Sequence, residues 1–198
     1  MYSFRIEQAL RAATILHKDQ MRKGSIPIPY VSHLVAVAML AQDYTDNEDV
    51  IVACLLHDTL EDTDYTADEL QKDFGPAVRE LVEIVSEPSI VEIEPLTWKE
   101  RKQQYIDQLK NAHSDALIVC ASDKIHNMRT IVEEYTNNHI RFMADFAGSL
   151  EDRMYVYQDI SNTLNRNLKN DIIHEFNSVF EQYKNFITNV KKTKEKQK

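Results

Sequence analysis

An all-α chain is the fold class this sequence predicts, and three observations lead to it. No segment sustains the strict apolar–polar alternation of a half-buried strand. Glycine and proline are sparse, three and five in 198 residues, whereas a β-rich chain needs many turns. Apolar residues recur at helical spacing, and 43% of the chain is hydrophobic. The expectation is one globular domain over residues 1–190, a bundle of roughly nine to eleven helices, followed by a charged tail at 191–198, expected to be disordered.

The elements follow in order. Phe4, Ala9, Ala12, Ala13 and Leu16 form one stripe, which predicts an amphipathic helix over residues 3–20. Gly24, Pro27 and Pro29 mark residues 21–29 as a loop. Residues 31–42 form a helix that carries His33 and the apolar run Leu34 to Leu40. Thr45-Asp46-Asn47 offers N-cap candidates for a buried helix through Val50-Ile51-Val52-Ala53-Cys54 to His57. Thr63-Asp64-Tyr65 is a connector. Thr66 and Glu69 make a capping box that opens a helix to Phe74; Gly75 ends it, and Pro76 fits the first turn of the next, which runs to about Ser86. Residues 87–96, with Pro88 and Pro95, read as an exposed loop. Thr97 and Glu100 form a second capping box for a helix beginning at Trp98. A buried-looking helix spans Asp115 to Tyr135, and residues 138–148 and 150–189 read as further helices.

Composition narrows the function classes. The formal net charge is −9 and the sequence pI about 5.3, which argues against duplex nucleic acid as a partner. No run of about 18 apolar residues predicts a membrane span, and Met1 to Glu7 shows no apolar signal region. Cys54 and Cys120 lie in apolar helical runs and read as small buried hydrophobes of a reducing compartment, so a cytoplasmic protein is expected.

The stretch with the most chemistry is Leu55-Leu56-His57-Asp58-Thr59-Leu60-Glu61-Asp62-Thr63. Taken as continuous helix, His57 and Glu61 share one face, as do Asp58 and Asp62, each pair being four apart. An acidic cluster at a helix end is ordinarily a solvated surface. Here two distant pieces weigh against that. His33 opens one apolar helix, and Asp123 follows the apolar run Ala116 to Ala121 in another. His33, His57, Asp58 and Asp123 together offer two imidazoles and two carboxylates. Buried charges are normally paired or coordinated, and this donor mix suits Mn²⁺, Fe²⁺ or Zn²⁺ better than Ca²⁺.

The order His…His-Asp…Asp resembles the HD phosphohydrolase superfamily. Three longer blocks sharpen the resemblance: Arg22-Lys23-Gly24…Pro29-Tyr30-Val31-Ser32-His33, then Leu56 to Thr63, then Asp123-Lys124-Ile125-His126-Asn127-Met128-Arg129-Thr130. Together they are similar to the (p)ppGpp hydrolase domain of the RelA/SpoT family, and most to its free-standing members, the small alarmone hydrolases. The likeness covers roughly residues 3–135. It implies one divalent cation, Mn²⁺, held by His33, His57, Asp58 and Asp123. It implies that Glu61 and Asp62 orient or deprotonate the attacking water and handle the leaving-group proton. It places Arg22 against the nucleobase and Lys23 near phosphate, although by themselves the two read as a solvated loop end. Asn127 would hold ribose or phosphate, and Lys124 would add to a local positive field. The basic helix after Trp98 is similar to a segment near the pyrophosphate, but reads equally as a solvated face.

Related families fit less well. The Gly-Tyr-Pro signature of cyclic-dinucleotide phosphodiesterases is missing, and the one histidine between Asp58 and Asp123 is His113, in a polar turn, so a single metal is expected. No synthetase-like second half follows, which makes the expected alarmone role degradative. The implied substrate is a small nucleotide, ppGpp or its adenine counterpart, because a stacking Arg reads a π-face rather than a base edge. Two alternatives stand: a nucleotide phosphatase acting on NADPH or nucleoside monophosphates, which Glu61-Asp62 and Arg22-Lys23 disfavour for the deoxynucleotides but not for NADPH, and a non-catalytic nucleotide binder, which the intact ligand set disfavours.

Overall fold

The computed structural model describes residues 2–88, 90–91, 94–146 and 148–196. Eleven α-helices run through the described residues: α1 (Phe4–Leu16), α2 (Val31–Gln42), α3 (Glu48–Leu56), α4 (Thr59–Asp62), α5 (Ala67–Phe74), α6 (Pro76–Val85), α7 (Trp98–Lys110), α8 (Ser114–Tyr135), α9 (His139–Asp145), α10 (Leu150–Asn167) and α11 (Ile172–Glu195). The all-α expectation holds. No helix among the described residues is long and apolar enough to cross a membrane.

Two helical stretches, in α3 and in the first half of α8, are buried on every side and therefore run through the centre. In α3, every residue from Val50 to Leu56 is buried. In α8, the whole stretch from Ala116 to Asp123 is buried. α1, α2 and α6 pack on α3, and α2, α6 and α11 pack on α8. α11 covers its side with one stripe, Phe176, Val179, Phe180, Tyr183, Phe186, Ile187 and Val190, at the three-and-four spacing of a helix face. Cys54 and Cys120 are free and buried in this core. Both predicted capping boxes form, at Thr66 with Glu69 and at Thr97 with Glu100; each such cap contributes about 1 kcal/mol to its helix. Gly75 joins α5 to α6 at φ 92°, in the region open to glycine.

The structure departs from the sequence reading at five places. α1 stops at Leu16 rather than near residue 20, because the chain turns at His17 and the loop closes on itself. Gln20 donates its N–H to the His17 carbonyl at 3.0 Å and accepts from the Tyr30 N–H at 2.9 Å, and Arg22 donates to Ile28 at 2.9 Å. The long helix expected at 150–189 is broken between α10 and α11, where Asn170 turns the chain: its Oδ1 accepts from the Ile172 N–H at 3.0 Å, and its amide donates to the Tyr44 carbonyl at 2.9 Å. The expected loop at 87–96 carries a two-stranded hairpin, β1 (Ile90–Val91) antiparallel to β2 (Glu94–Pro95); residues 89, 92 and 93 lie outside the described residues. The tail expected from Lys191 is helical to Glu195. Val190 is fully buried, Lys191 pairs with Glu151 at 2.9 Å, and Thr193 bonds His139 Nδ1 at 2.7 Å, so α11 is anchored beyond its last apolar turn; residues 197 and 198 lie outside the described part. The fifth departure, between α3 and α4, shapes the site.

Candidate active site

His57 and Asp58 do not lie within a continuous helix. Thr59 Oγ1 donates to the Leu56 carbonyl at 2.6 Å, and His57 Nδ1 bonds the Cys54 carbonyl at 2.8 Å. These side chains take acceptors that the next helical turn would use, so α3 ends at Leu56 and α4 starts afresh at Thr59. The expected continuous helix is interrupted by a corner at His57 and Asp58. Asp58 and Asp62 stay one turn apart, the Asp62 N–H bonding the Asp58 carbonyl at 2.9 Å, and His57, Asp58, Glu61 and Asp62 line one pocket. The corner has a consequence: neighbours on a straight helix point about 100° apart, whereas here His57 Nε2 and Asp58 Oδ2 face each other at 3.1 Å.

His33, one turn into α2, and Asp123, midway along α8, come to the same point. His33 Nε2 lies 3.2 Å from Asp123 Oδ1 and 3.6 Å from Asp58 Oδ2; His57 Nε2 lies 3.6 Å from Asp123 Oδ1. His33 is fully buried, and His57 and Asp123 are 3% and 6% exposed. Both Nε2 atoms are buried without a hydrogen-bond partner, so the carboxylates beside them are off the line of an N–H bond. A cation meets those conditions. Ligand atoms about 2.1 Å from one ion stand about 3.0–3.4 Å apart in octahedral or tetrahedral arrangements, close to the spacings here. His33, His57 and Asp58 form a metal-competent group, and Asp123 adjoins it. The residues present fit a divalent cation.

Electrostatics support the cluster. Burial works against charge on Asp58 and Asp123, yet His57 beside the first and the Lys124 ammonium beside the second hold both carboxyls well below their usual range. Lys124 Nζ lies 2.7 Å from Asp123 Oδ2, and Asn127 donates to Asp123 Oδ1. Tyr30 donates its hydroxyl to Asp58 Oδ2 at 2.5 Å. Glu61 stands on the cleft wall, its Oε1 accepting from the Glu87 N–H at 2.8 Å; partial desolvation, with Asp58 and Glu87 nearby, pushes its carboxyl up to about 7. Lys102 pairs with the Glu87 side chain, and burial lowers its pKa. Asp62 Oδ2 accepts from Gln20 Nε2 at 2.8 Å.

Tyr30, His57, Asp58, Glu61, Asp62, Asp123, Lys124 and Asn127 thus line one pocket of about 240 Å³. A neighbouring cleft of about 320 Å³ shares Tyr30 and Asn127 with it, and this cleft holds Arg22 and Lys23. Arg22 donates to Asn127 Oδ1 at 3.0 Å and to Thr130 at 3.2 Å, with its guanidinium 5.5 Å above the Tyr30 ring. Lys23 turns away from the metal-competent cluster. Its ammonium bonds the Asp145 carbonyl at 2.9 Å and sits over the Phe146 ring. Sequence reasoning missed Tyr30, His126, Gln20, Glu87, Arg153 and Tyr157, all of which border these clefts or touch their walls. Tyr30, three before His33, and His126, three after Asp123, stand at helical spacing from singled-out residues, and that spacing was the available signal. Arg153 and Tyr157, four apart on α10, had no neighbour in sequence to draw attention to them.

The fold and this cluster define a class. The HD-domain family matches residues 9–146, and the chain belongs to that family. Its relatives narrow the group. The mouse guanosine-3′,5′-bis(diphosphate) 3′-pyrophosphohydrolase MESH1 is 38% identical over 117 residues, which is 58% of this chain and 63% of the mouse protein. The Drosophila melanogaster protein of the same name is 31% identical over 131 residues, 65% of this chain and 70% of its own length. A solved structure described as a metazoan orthologue of SpoT that hydrolyses ppGpp superposes with a TM-score of 0.74 at 24% identity, covering 92% of this chain and 97% of that one, and shares the fold.

Proposed function

We propose that this protein hydrolyses the 3′-pyrophosphate ester of ppGpp-like nucleotides, giving the 5′-nucleotide and pyrophosphate. The observation that carries the reading is the pair of buried, unpartnered Nε2 atoms on His33 and His57, facing Asp58 and Asp123, beside a pocket that His57, Asp58 and Asp123 line together with Glu61 and Asp62. The named activity of the mouse and fruit-fly relatives supports it.

His33, His57, Asp58 and Asp123 would hold the cation, here Mn²⁺. When bound, it would polarise a phosphoryl oxygen and favour ionisation of water. The chain's own groups do the remaining work. Glu61 and Asp62 orient the attacking water, and one of them accepts its proton. As the water oxygen bonds to phosphorus, the bond from phosphorus to the 3′-oxygen breaks. The electron pair leaves with that oxygen, which takes a proton from the other carboxyl group. A carboxyl near pKa 7, as Glu61 has, can both give and take a proton at neutral pH. Lys124 brings positive charge beside Asp123. Arg22, stacked near Tyr30 and fixed by Asn127, offers a flat cationic face to a purine of either kind. Lys23 extends the positive charge of the outer cleft rather than of the reacting end. The two buried free cysteines fit a cytoplasmic site of action.

Chromatography of ppGpp incubated with the protein and Mn²⁺ tests the reading. GDP and intact pyrophosphate are the expected products. Orthophosphate alone, or turnover of NADPH with ppGpp untouched, replaces it with the phosphatase reading.

A further inference from the structure

Asp62 stands exposed on α4, a helix of four residues. Among the described residues, the hydrogen bond to its carboxylate comes from a distant part of the chain, the Gln20 amide at 2.8 Å. Gln20 is itself held at three points. Its backbone is fixed by the His17 carbonyl and the Tyr30 N–H, and its side-chain Oε1 meets His17 Nδ1 at 2.5 Å. His17 is 3% exposed and its ring stacks on Tyr30, with centroids 5.3 Å apart and planes 27° apart. Tyr30 in turn donates to Asp58.

Polarity orders this chain of bonds. A carboxylate only accepts, so Gln20 must present its NH₂ to Asp62 and its oxygen to His17. His17 Nδ1 must then carry the proton. Its Nε2 is buried and without a hydrogen-bond partner. The bonds therefore run one way, from imidazole N–H to amide oxygen and from amide N–H to carboxylate, an arrangement in which each bond polarises the next. One oxygen of Asp62 is committed to Gln20, and the other is left for the pocket.

We propose that His17 and Gln20 form a strut that fixes the Asp62 carboxylate for reaction, with His17 a positioning residue that acts through Gln20. The proposal rests on the reading of Asp62 as a reacting carboxylate. Proton transfer requires a group held within hydrogen-bond reach, and an exposed side chain on a single helical turn does not hold itself. Because His17 also stacks on Tyr30, the strut ties Asp62 to the same support that bears on Asp58.

The test uses the full chain with Mn²⁺ and ppGpp. Gln20→Leu removes the donor to Asp62; His17→Phe keeps a ring against Tyr30 and removes the donor to Gln20. Each is expected to lower kcat about 10- to 100-fold, with KM and bound Mn²⁺ unchanged. Gln20→Leu added to Asp62→Asn is expected to cost no more than about two-fold beyond Asp62→Asn alone, because the strut acts through that carboxylate. A crystal structure of Gln20→Leu is expected to show the Asp62 carboxylate displaced. Equal losses in both backgrounds, a loss of metal in step with rate, or an unmoved Asp62 overturn the strut. If the unmodified protein leaves ppGpp intact, the substrate reading falls, and the position of Asp62 in the Gln20→Leu crystal decides the strut by itself. If His17→Phe does not fold, Gln20→Leu, at a partly exposed position, carries the test.

Discussion

His33 and His126 meet Nδ1 to Nδ1 at 2.8 Å. Only one of two such nitrogens can carry the shared proton. Burial and the facing His33 ring push His126 down to about 3, so it is neutral. With His126 Nδ1 as the acceptor, His33 donates from Nδ1 and its Nε2 is free for a cation, the tautomer a metal ligand needs. His57 Nδ1 donates to the Cys54 carbonyl, which leaves Nε2 facing the cluster; in the metal-free protein burial works against charge on this ring, yet the Asp58 and Asp123 carboxylates hold its pKa well above the usual histidine value. His126→Leu is therefore expected to weaken Mn²⁺ binding by about 10- to 100-fold with the helical fold intact, measured by metal titration alongside circular dichroism. Unchanged affinity would remove His126 from the site.

His57→Ala deletes a proposed ligand and leaves Asp58 without its facing imidazole. Bound Mn²⁺ and turnover should be lost together, as read by elemental analysis and product chromatography. Full activity in this variant, or in thoroughly chelated protein, would show that the buried cluster serves some other purpose.

Glu61→Gln combined with Asp62→Asn keeps the size of both side chains and removes their proton chemistry. Neither residue belongs to the four-donor cluster, so metal content should stay at the parent level while kcat drops by ~10²-fold or more, the scale of general acid–base groups. Metal falling in step with rate would make these two ligands.

What was legible in the sequence follows from what periodicity reports. His33, His57, Asp58 and Asp123 stood out because each interrupts or borders an apolar run, and the structure brings all four to one point. His126 and Tyr30 lie in mixed surroundings where a polar or aromatic residue needs no explanation, so their contacts with His33 and Asp58 appear only in three dimensions. Lys23 is a different case. Only the family resemblance set it near phosphate, and its contacts here, the Asp145 carbonyl and the Phe146 ring, come from more than 120 residues away in sequence, beyond the reach of any local pattern. The corner at His57–Asp58 was hidden because it is made by the hydroxyl of Thr59 and the ring of His57 reaching back to carbonyls, and a helical run of apolar residues gives no sign of that competition. The continuation of α11 to Glu195 was hidden too: the lysines after Val190 read as a solvated tail, while Glu151 and His139 supply the partners that hold the last turns in place.

The raised carboxyl of Glu61 makes a stability prediction for the metal-free protein. Partial desolvation in the cleft lifts its pKa from the ordinary 4.5 to about 7. In the window between those values the folded state binds more protons at Glu61 than the unfolded state does. By linkage, stability falls as pH rises through that window, and above it the folded state carries the cost of an ionised carboxylate on the cleft wall, reduced by the solvent that reaches this exposed side chain. The Glu87 N–H offsets part of that cost and does not cancel it. Glu61→Gln removes the titration. In chelator-treated protein the variant should therefore melt higher than the parent at pH 8, and the difference should shrink steadily as pH is lowered toward 4.5. Thermal melts of both proteins across that range measure it directly. A variant that melts lower than the parent at pH 8, or a gap that does not change with pH, would mean that Glu61 is ionised at little cost in the folded chain, and its role as a proton-exchanging group at neutral pH would lose its physical basis.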